Sequence, residues 1–558
     1  MSRILLVEPA YKNKYPPMGL MKISRYHKML EDEVTFVKGI DKHMESVVWD
    51  RIYVTTLFTF DFDITVETIN YYKMLVDDIR HFFVGGIMSS LMPDKVIAAT
   101  GLQAENILLG LFTDTSVVGD HNDINVDTLP LDYDILEQIS YKYPAGDNYF
   151  AYTSRGCPNH CKFCAVPILE PHYCVTNHIV EQIRTVDREF GPKRNLLMLD
   201  NNILNAPNLE EIVDSLCEAG FAQGAKYNPP GDYRIVMMRY HRGDRAHFLD
   251  DRLKTYLNSF KKRIKSQSDL EKFIQILIDS ESAENYAAYM LAHEFELRPI
   301  VEKYRNKATV KRYIDFNQGI DGRKIDDRTM AQLARLAIKP LRIAFDNIAL
   351  ADIYKSAVHT AYRYGVREIS NYILFNFDDK PEDFYRRLEI NIELNQELGI
   401  QIFSFPMRYA PVDRTDRAYV GKYWCKKYLG AISGIIHVTR GVVAAGSDFF
   451  YKAFGHNIEE YMEILAMPRN LIMFRSYYED SGDTKRWLEL YRSLSSEDKK
   501  ELVDIVSLSI PEIKAMSLPA KFQEIIPYYY LGNPKLATKS SEDEDQLRLF
   551  NTSDEDIL

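Results

Sequence analysis

Cysteine is scarce in this chain, with six in 558 residues. A secreted disulfide scaffold places many more in a shorter sequence, so that class is excluded. Three of the six, Cys157, Cys161 and Cys164, fall within eight residues, which points to metal or redox chemistry. Long apolar runs are missing too. No uncharged stretch approaches the ~18 residues that cross a bilayer. The opening MSRILLVEPAYKNKYPP has a short apolar run and no cleavable small-residue site, so it reads as a first β-strand. A cytoplasmic protein without a membrane partner is expected. Nor is there an excess of positive charge. The formal net charge of −11 gives no general attraction to phosphates and leaves nucleic-acid binding to local patches.

What is present is the balance of a folded enzyme-sized body, 46% hydrophobic and 27% charged, long enough for about three folded units. Over residues 1–130, apolar runs at Ile4–Val7, Val34–Val37, Ile52–Leu57 and Phe82–Gly86 alternate with helical periodicity at Met18–Leu30, Thr65–Leu75 and Pro93–Thr100. This alternation predicts an open, mostly parallel, Rossmann-like α/β sheet. Turn signals around Leu129–Tyr133 and Tyr143–Gly146 mark a connector.

A second α/β series runs over 145–412. Its strands are predicted at Tyr149–Thr153, Leu196–Leu199, Tyr313–Phe316, Leu341–Phe345, Glu368–Phe375 and Gln401–Pro406, with helices between them. Six such strands suit a partial (β/α)6 barrel. Residues 238–311 are rich in helix formers and read as a helical insertion. A mainly helical, aromatic region follows over 413–534. Residues 535–558 read as a disordered acidic tail, since Ser540–Leu558 carries seven acidic residues against one arginine.

The segment Ser154-Arg155-Gly156-Cys157-Pro158-Asn159-His160-Cys161-Lys162-Phe163-Cys164 places its thiols at C-x3-C-x2-C, directly after a predicted strand. Three thiolates can hold three irons of a cubane and leave the fourth open to an external ligand. The competing reading is a closed Cys3His zinc site that includes His160. His160 and Cys161 are adjacent in sequence, an awkward pair for one ion.

The loop and its strand–loop–helix setting resemble the radical S-adenosylmethionine superfamily over about residues 149–409, in particular the subgroup with an N-terminal cobalamin-binding-like domain. The resemblance implies a single [4Fe–4S] cluster on Cys157, Cys161 and Cys164. Its open iron would chelate S-adenosylmethionine, an external donor would supply the electron, and a 5′-deoxyadenosyl radical would act on a substrate. It also implies that the Phe163 backbone lies near the adenine. Asp200 and Asn201, at the end of the second strand, would receive the methionine ammonium, and Gln318 and Arg323 would face the cofactor cavity. The competing reading is polar capping of a strand end for Asp200 and Asn201, and a turn joining strand to helix for Gln318 and Arg323. Neither the catalytic residue nor the substrate is indicated.

No cysteine precedes Cys157 and only Cys425 lies beyond the barrel, which removes methylthiotransferases with a second cluster and enzymes with a C-terminal auxiliary cluster. The loop Glu8–Asn13 lacks the D-x-H-x-x-G motif, so a vestigial cobalamin domain is preferred over a working one. A cobalamin-dependent methyltransferase is kept as an alternative. Cys174, Cys217 and Cys425 are read as structural, Cys217 within a helix core.

In the insertion, Arg239, Arg242, Arg245, Arg252, Lys254, Lys261, Lys262, Arg263 and Lys265 outnumber Asp244, Asp250 and Asp251, a candidate phosphate-binding surface. In the tail, Gln546, Leu547, Leu549 and Phe550 belong to QLRLF, which resembles the peptide by which bacterial proteins dock on the DNA sliding clamp. DNA and the clamp are therefore the expected partners. A non-catalytic, metal-containing, DNA-associated module is the alternative to an enzyme.

Overall fold

The structure is a computed structural model that describes residues 1–534. It divides into two compact units. The first holds residues 1–160, 165–317 and 335–338; the second holds Cys161–Cys164, Gln318–Ala334 and the chain from Lys339 onward.

The first unit opens with five parallel strands: β1 (Arg3–Glu8), β2 (Glu33–Lys38), β3 (Arg51–Thr56), β4 (Phe82–Gly86) and the two-residue β5 (Ile107–Leu108), in the order β2-β1-β3-β4-β5. Leu5, Val7, Ile52, Val54, Phe82 and Val84 are buried, as expected of a parallel sheet covered on its faces. Helices Met18–Met29, Phe62–Tyr72 and Pro93–Thr100 provide the connections. Gly86, which ends β4, has φ +106°, and a Cβ there would lie 2.2 Å from the Thr56 carbonyl oxygen.

Next in this unit come β6 (Tyr149–Ala151), the short antiparallel pair β7 (Ser154–Arg155) and β8 (Cys174–Val175), then β9 (Leu196–Met198). Helix Ile179–Phe190 buries Ile179, Ile183, Val186 and Phe190, one face at helical spacing. The pair β10 (Lys226–Tyr227) and β11 (Val310–Lys311) is antiparallel and brackets the helical insertion. The insertion starts at Asp232, earlier than the periodicity suggests, and runs through five helices to Tyr304. It has its own core, including Tyr233, Tyr240, Leu253, Leu257, Phe273 and Met290. Strand β12 (Ile314–Phe316) pairs with β9, so β12-β9-β6 is a three-stranded parallel sheet.

The second unit has the parallel strands β13 (Leu341–Arg342), β14 (Glu368–Phe375) and β15 (Gln401–Arg408). Helix Pro381–Leu398 joins the last two and begins with proline at its first turn, where no N–H is needed. Phe384, Tyr385 and Leu388 of this helix share a core with Trp424, Phe450, Phe454, Tyr461 and Trp487 of the C-terminal helices. The α/β class, the parallel N-terminal sheet, the helical insertion and the helical C-terminal region are thus all present. The six strands read as a barrel series are found as three in each unit. No helix among the described residues is long and apolar enough to cross a membrane.

Candidate functional site

The cysteine loop is the tip of a hairpin. After β6 the chain passes Tyr152 and Thr153 into β7, whose Ser154 and Arg155 pair with Val175 and Cys174 of β8. The three cysteines lie in the chain segment that connects these two strands. Two carboxylates secure its base.

Asp200 follows β9 and is 4% exposed. Its Oδ1 accepts hydrogen bonds from the Thr153 N–H (2.9 Å), the Thr153 hydroxyl (2.8 Å), the Ser154 N–H (2.5 Å) and the Ser154 hydroxyl (2.7 Å). Its Oδ2 is buried without a hydrogen-bond partner among the described residues. Burial raises the carboxyl pKa above its usual value despite these four donors. Asp200 therefore ties the end of the second strand of this sheet to the exit of the first. The polar residue read from sequence as an ammonium acceptor is engaged with the backbone that launches the loop.

Glu170 is the second. Its Oε2 accepts the Gly156 N–H (2.6 Å) and the Asn201 amide (2.9 Å), and its Oε1 accepts Arg155 Nη1 (3.1 Å). Arg155, 5% exposed, also bonds Asp127 and lies 3.4 Å from the centre of the Tyr152 ring. Burial of Asp127 would raise its pKa, but the adjacent Lys22 and Arg155 charges hold it below the usual carboxylate value. Asn201, the other expected ammonium acceptor, is thus turned onto Glu170. Gly156 has φ +71°, and a Cβ at this position would lie 2.4 Å from the His172 carbonyl oxygen, so only glycine fits.

All six cysteines are free thiols. Cys157 Sγ accepts hydrogen bonds from the Asn159 N–H (3.4 Å) and the Asn202 side-chain amide (3.5 Å). The Cys164 N–H donates to the Cys161 carbonyl at 3.0 Å and closes a turn over the last two cysteines. Among the described residues no group of three or more His, Cys, Asp or Glu side chains is gathered to hold one metal ion. The donor set, three half-exposed thiols with N–H groups directed at one of them, fits the cluster.

In the second unit, Phe163 meets the Phe377 ring edge-on at 5.8 Å, and Phe377 in turn meets Tyr409 at 4.7 Å. Phe377 follows Asn376, a buried non-glycine residue at φ +68° whose side chain bonds the Tyr409 carbonyl and the Gly421 N–H. Gln318 is exposed. Arg323 is exposed and folds back on Asp321, with bonds of 2.7 and 2.8 Å. At the end of the segment that follows β13, Asp346 has its carboxyl pKa raised to about 6 by burial, against the lowering charges of Arg387 and Arg323.

Arg155, Gly156, Glu170 and Asn202 hold the base of the loop, and none of them is singled out as a site candidate by the sequence. Gly156 and Arg155 flank the first cysteine and could have been found there; Glu170 carries no local signal. Cys174 is exposed on β8, Cys217 is half-buried, and Cys425 precedes helix Lys426–Val438 against the C-terminal core. Within the basic insertion, Arg239 is buried and bonded to Asp134 and Asp244, and Arg252 is paired with Asp232. Lys261, Lys262, Arg263 and Lys265 are exposed. Gln546, Leu547, Leu549 and Phe550 lie outside the described residues.

No family model matches the chain. An uncharacterized methyltransferase of Synechocystis sp. is 27% identical over 221 residues, 36% of this chain and 39% of that protein. The chain thus spans about two fifths of that relative's length. Two solved structures are similar in outline. One is the radical S-adenosylmethionine methyltransferase TsrM from Kitasatospora setae with tryptophan substrate and a SAM analog bound, at 13% identity, 71% and 72% coverage of the two chains and a TM-score of 0.40. The other is the cobalamin-dependent S-adenosylmethionine radical enzyme OxsB with aqua-cobalamin and S-adenosylmethionine bound, at 12% identity, 99% and 75% coverage and a TM-score of 0.42.

Proposed function

We propose that this chain is a radical S-adenosylmethionine enzyme with one [4Fe–4S] cluster held by Cys157, Cys161 and Cys164. The observation that carries this reading is the loop: three free thiols at C-x3-C-x2-C on a hairpin that leaves the C-terminal end of a parallel strand. When bound, the cluster supplies the electron, received from an external donor, that cleaves S-adenosylmethionine to methionine and a 5′-deoxyadenosyl radical. The chain's residues hold and shape the site. Asp200 and Glu170 position the loop, Asn202 and the Asn159 N–H hold the Cys157 sulfur, and Phe163 with Phe377 gives an apolar wall. Phe163 is the residue proposed beside the adenine.

The test is anaerobic reconstitution with iron and sulfide, followed by dithionite and S-adenosylmethionine. The protein should be brown, carry about four irons and release 5′-deoxyadenosine, and Cys161→Ala should do neither. A colourless zinc protein, or a fully loaded cluster without cleavage, overturns the proposal. A second reading, cobalamin-dependent methyl transfer, is favoured by the five-stranded parallel sheet and by the methyltransferase name of the Synechocystis relative. Added cobalamin should then bind the chain and S-adenosylhomocysteine should accumulate.

A further inference from the structure

The second unit contains an apolar cavity of about 610 Å³ between the C-terminal helices, away from the cysteine loop in sequence. Ile435, Val438, Phe449, Ile472 and Phe474 supply its apolar lining. Val438 and Tyr477 on its wall are 59% and 56% exposed. Two cations, Lys452 and Arg475, also line it. Arg475 stands 3.7 Å from Glu479, whereas no carboxylate among the described residues pairs with Lys452.

The last described residues reach this cavity. Asn470 bonds the Leu531 carbonyl, the Tyr478 hydroxyl donates to the Gly532 carbonyl at 2.6 Å, and Pro534 forms part of the cavity wall. Beyond Pro534 lie 24 residues, among them Glu542-Asp543-Glu544-Asp545 followed at once by Gln546-Leu547-Arg548-Leu549-Phe550. We infer that this segment docks in the cavity, with Leu547, Leu549 and Phe550 on the apolar lining and the preceding carboxylates facing Lys452 and Arg475. The position of Pro534, the sign of the charges and the length of the segment all agree. The twelve Cα–Cα steps from Pro534 to Gln546 reach up to about 40 Å when extended, and the entropy of closing such a loop grows only slowly with its length. Buried there, the QLRLF side chains would be withheld from any other protein that recognises them.

Hydrogen exchange followed by mass spectrometry on the full chain tests this. Peptides covering 546–550 should exchange at least about tenfold more slowly than an unstructured peptide of the same sequence. In the L547A/L549A/F550A variant, whose substitutions lie outside the described body, peptides covering 435–439 and 473–477 should lose protection. K452E/R475E should speed exchange at 546–550, provided its melting temperature matches wild type. Exchange of 546–550 at the unstructured rate overturns the inference, as does unchanged protection of the cavity peptides in the triple alanine variant. Protection that rises with protein concentration would assign the cavity to a second copy's tail. Protection only after sliding clamp is added would assign the peptide to the clamp. Either result also overturns it.

Discussion

Glu170 accepts the backbone N–H of Gly156 at 2.6 Å, one residue before the first cysteine of the loop. The same carboxylate receives Arg155 and Asn201, so one side chain sets the backbone, the buried cation and the neighbouring strand end together. A carboxylate with three donors in a partly dry site is costly to remove and less costly to neutralise. Glu170→Ala should destabilise the apoprotein by about 3–5 kcal/mol. Glu170→Gln, which keeps an acceptor oxygen, should cost about 1–2 kcal/mol. Urea denaturation of both variants measures the difference, and equal losses would remove the charge from the account.

Gly156→Ala tests the backbone directly. The left-handed conformation alone costs an alanine about 1–3 kcal/mol, and the His172 carbonyl leaves no room for its Cβ. The loop should shift and the iron retained after reconstitution should fall by more than about half. Far-ultraviolet circular dichroism should stay at the wild-type level, since the change is confined to the hairpin.

Asp346 gives a pH prediction. Its folded pKa, about 6, lies above the ordinary 3.8, so the folded state binds the proton more tightly than the unfolded chain. Its contribution is favourable below 3.8 and is lost as pH rises through about 6. Relative to Asp346→Asn, the wild-type apoprotein should therefore lose on the order of 2–3 kcal/mol over this interval. Denaturation midpoints for both proteins across the interval check the sign, and parallel curves would show an unshifted carboxyl.

The insertion offers a charge test. Arg239 and Arg252 are held in ion pairs, whereas Lys261, Lys262 and Arg263 face solvent. If duplex DNA binds here, reversing those three charges should weaken binding and reduce the salt slope by about one for each phosphate that is no longer neutralised. Substituting Arg252 should instead cost stability. Identical DNA titrations for wild type and the charge-reversed protein would discard the partner.

Much of this was legible in the sequence because its period is strong. Apolar runs such as Ile4–Val7 and Ile52–Leu57 are buried parallel strands, and the 3.6-residue spacing of Ile179, Ile183, Val186 and Phe190 is a helix face. The two-residue strands β5, β7, β8 and β10 were not legible, since two residues carry no period. Nor was the occupation of Asp200, Asn201 and Arg323, which depends on Thr153, Glu170 and Asp321. Asp321 is two residues from its partner, but Thr153 is 47 residues from Asp200 and Glu170 is 31 from Asn201. Such separations leave no trace in a local pattern.

The ladder of Lys226–Tyr227 on Val310–Lys311 brings the two ends of the helical insertion side by side, and the Asn228 amide reinforces it by bonding the Lys307 carbonyl at 3.1 Å. A segment that leaves and re-enters at neighbouring points, with a hydrophobic core of its own, behaves as a cassette. A lineage could acquire, enlarge or exchange it without re-threading a single strand of the parallel sheet, and a protein engineer could cut it at the same two points.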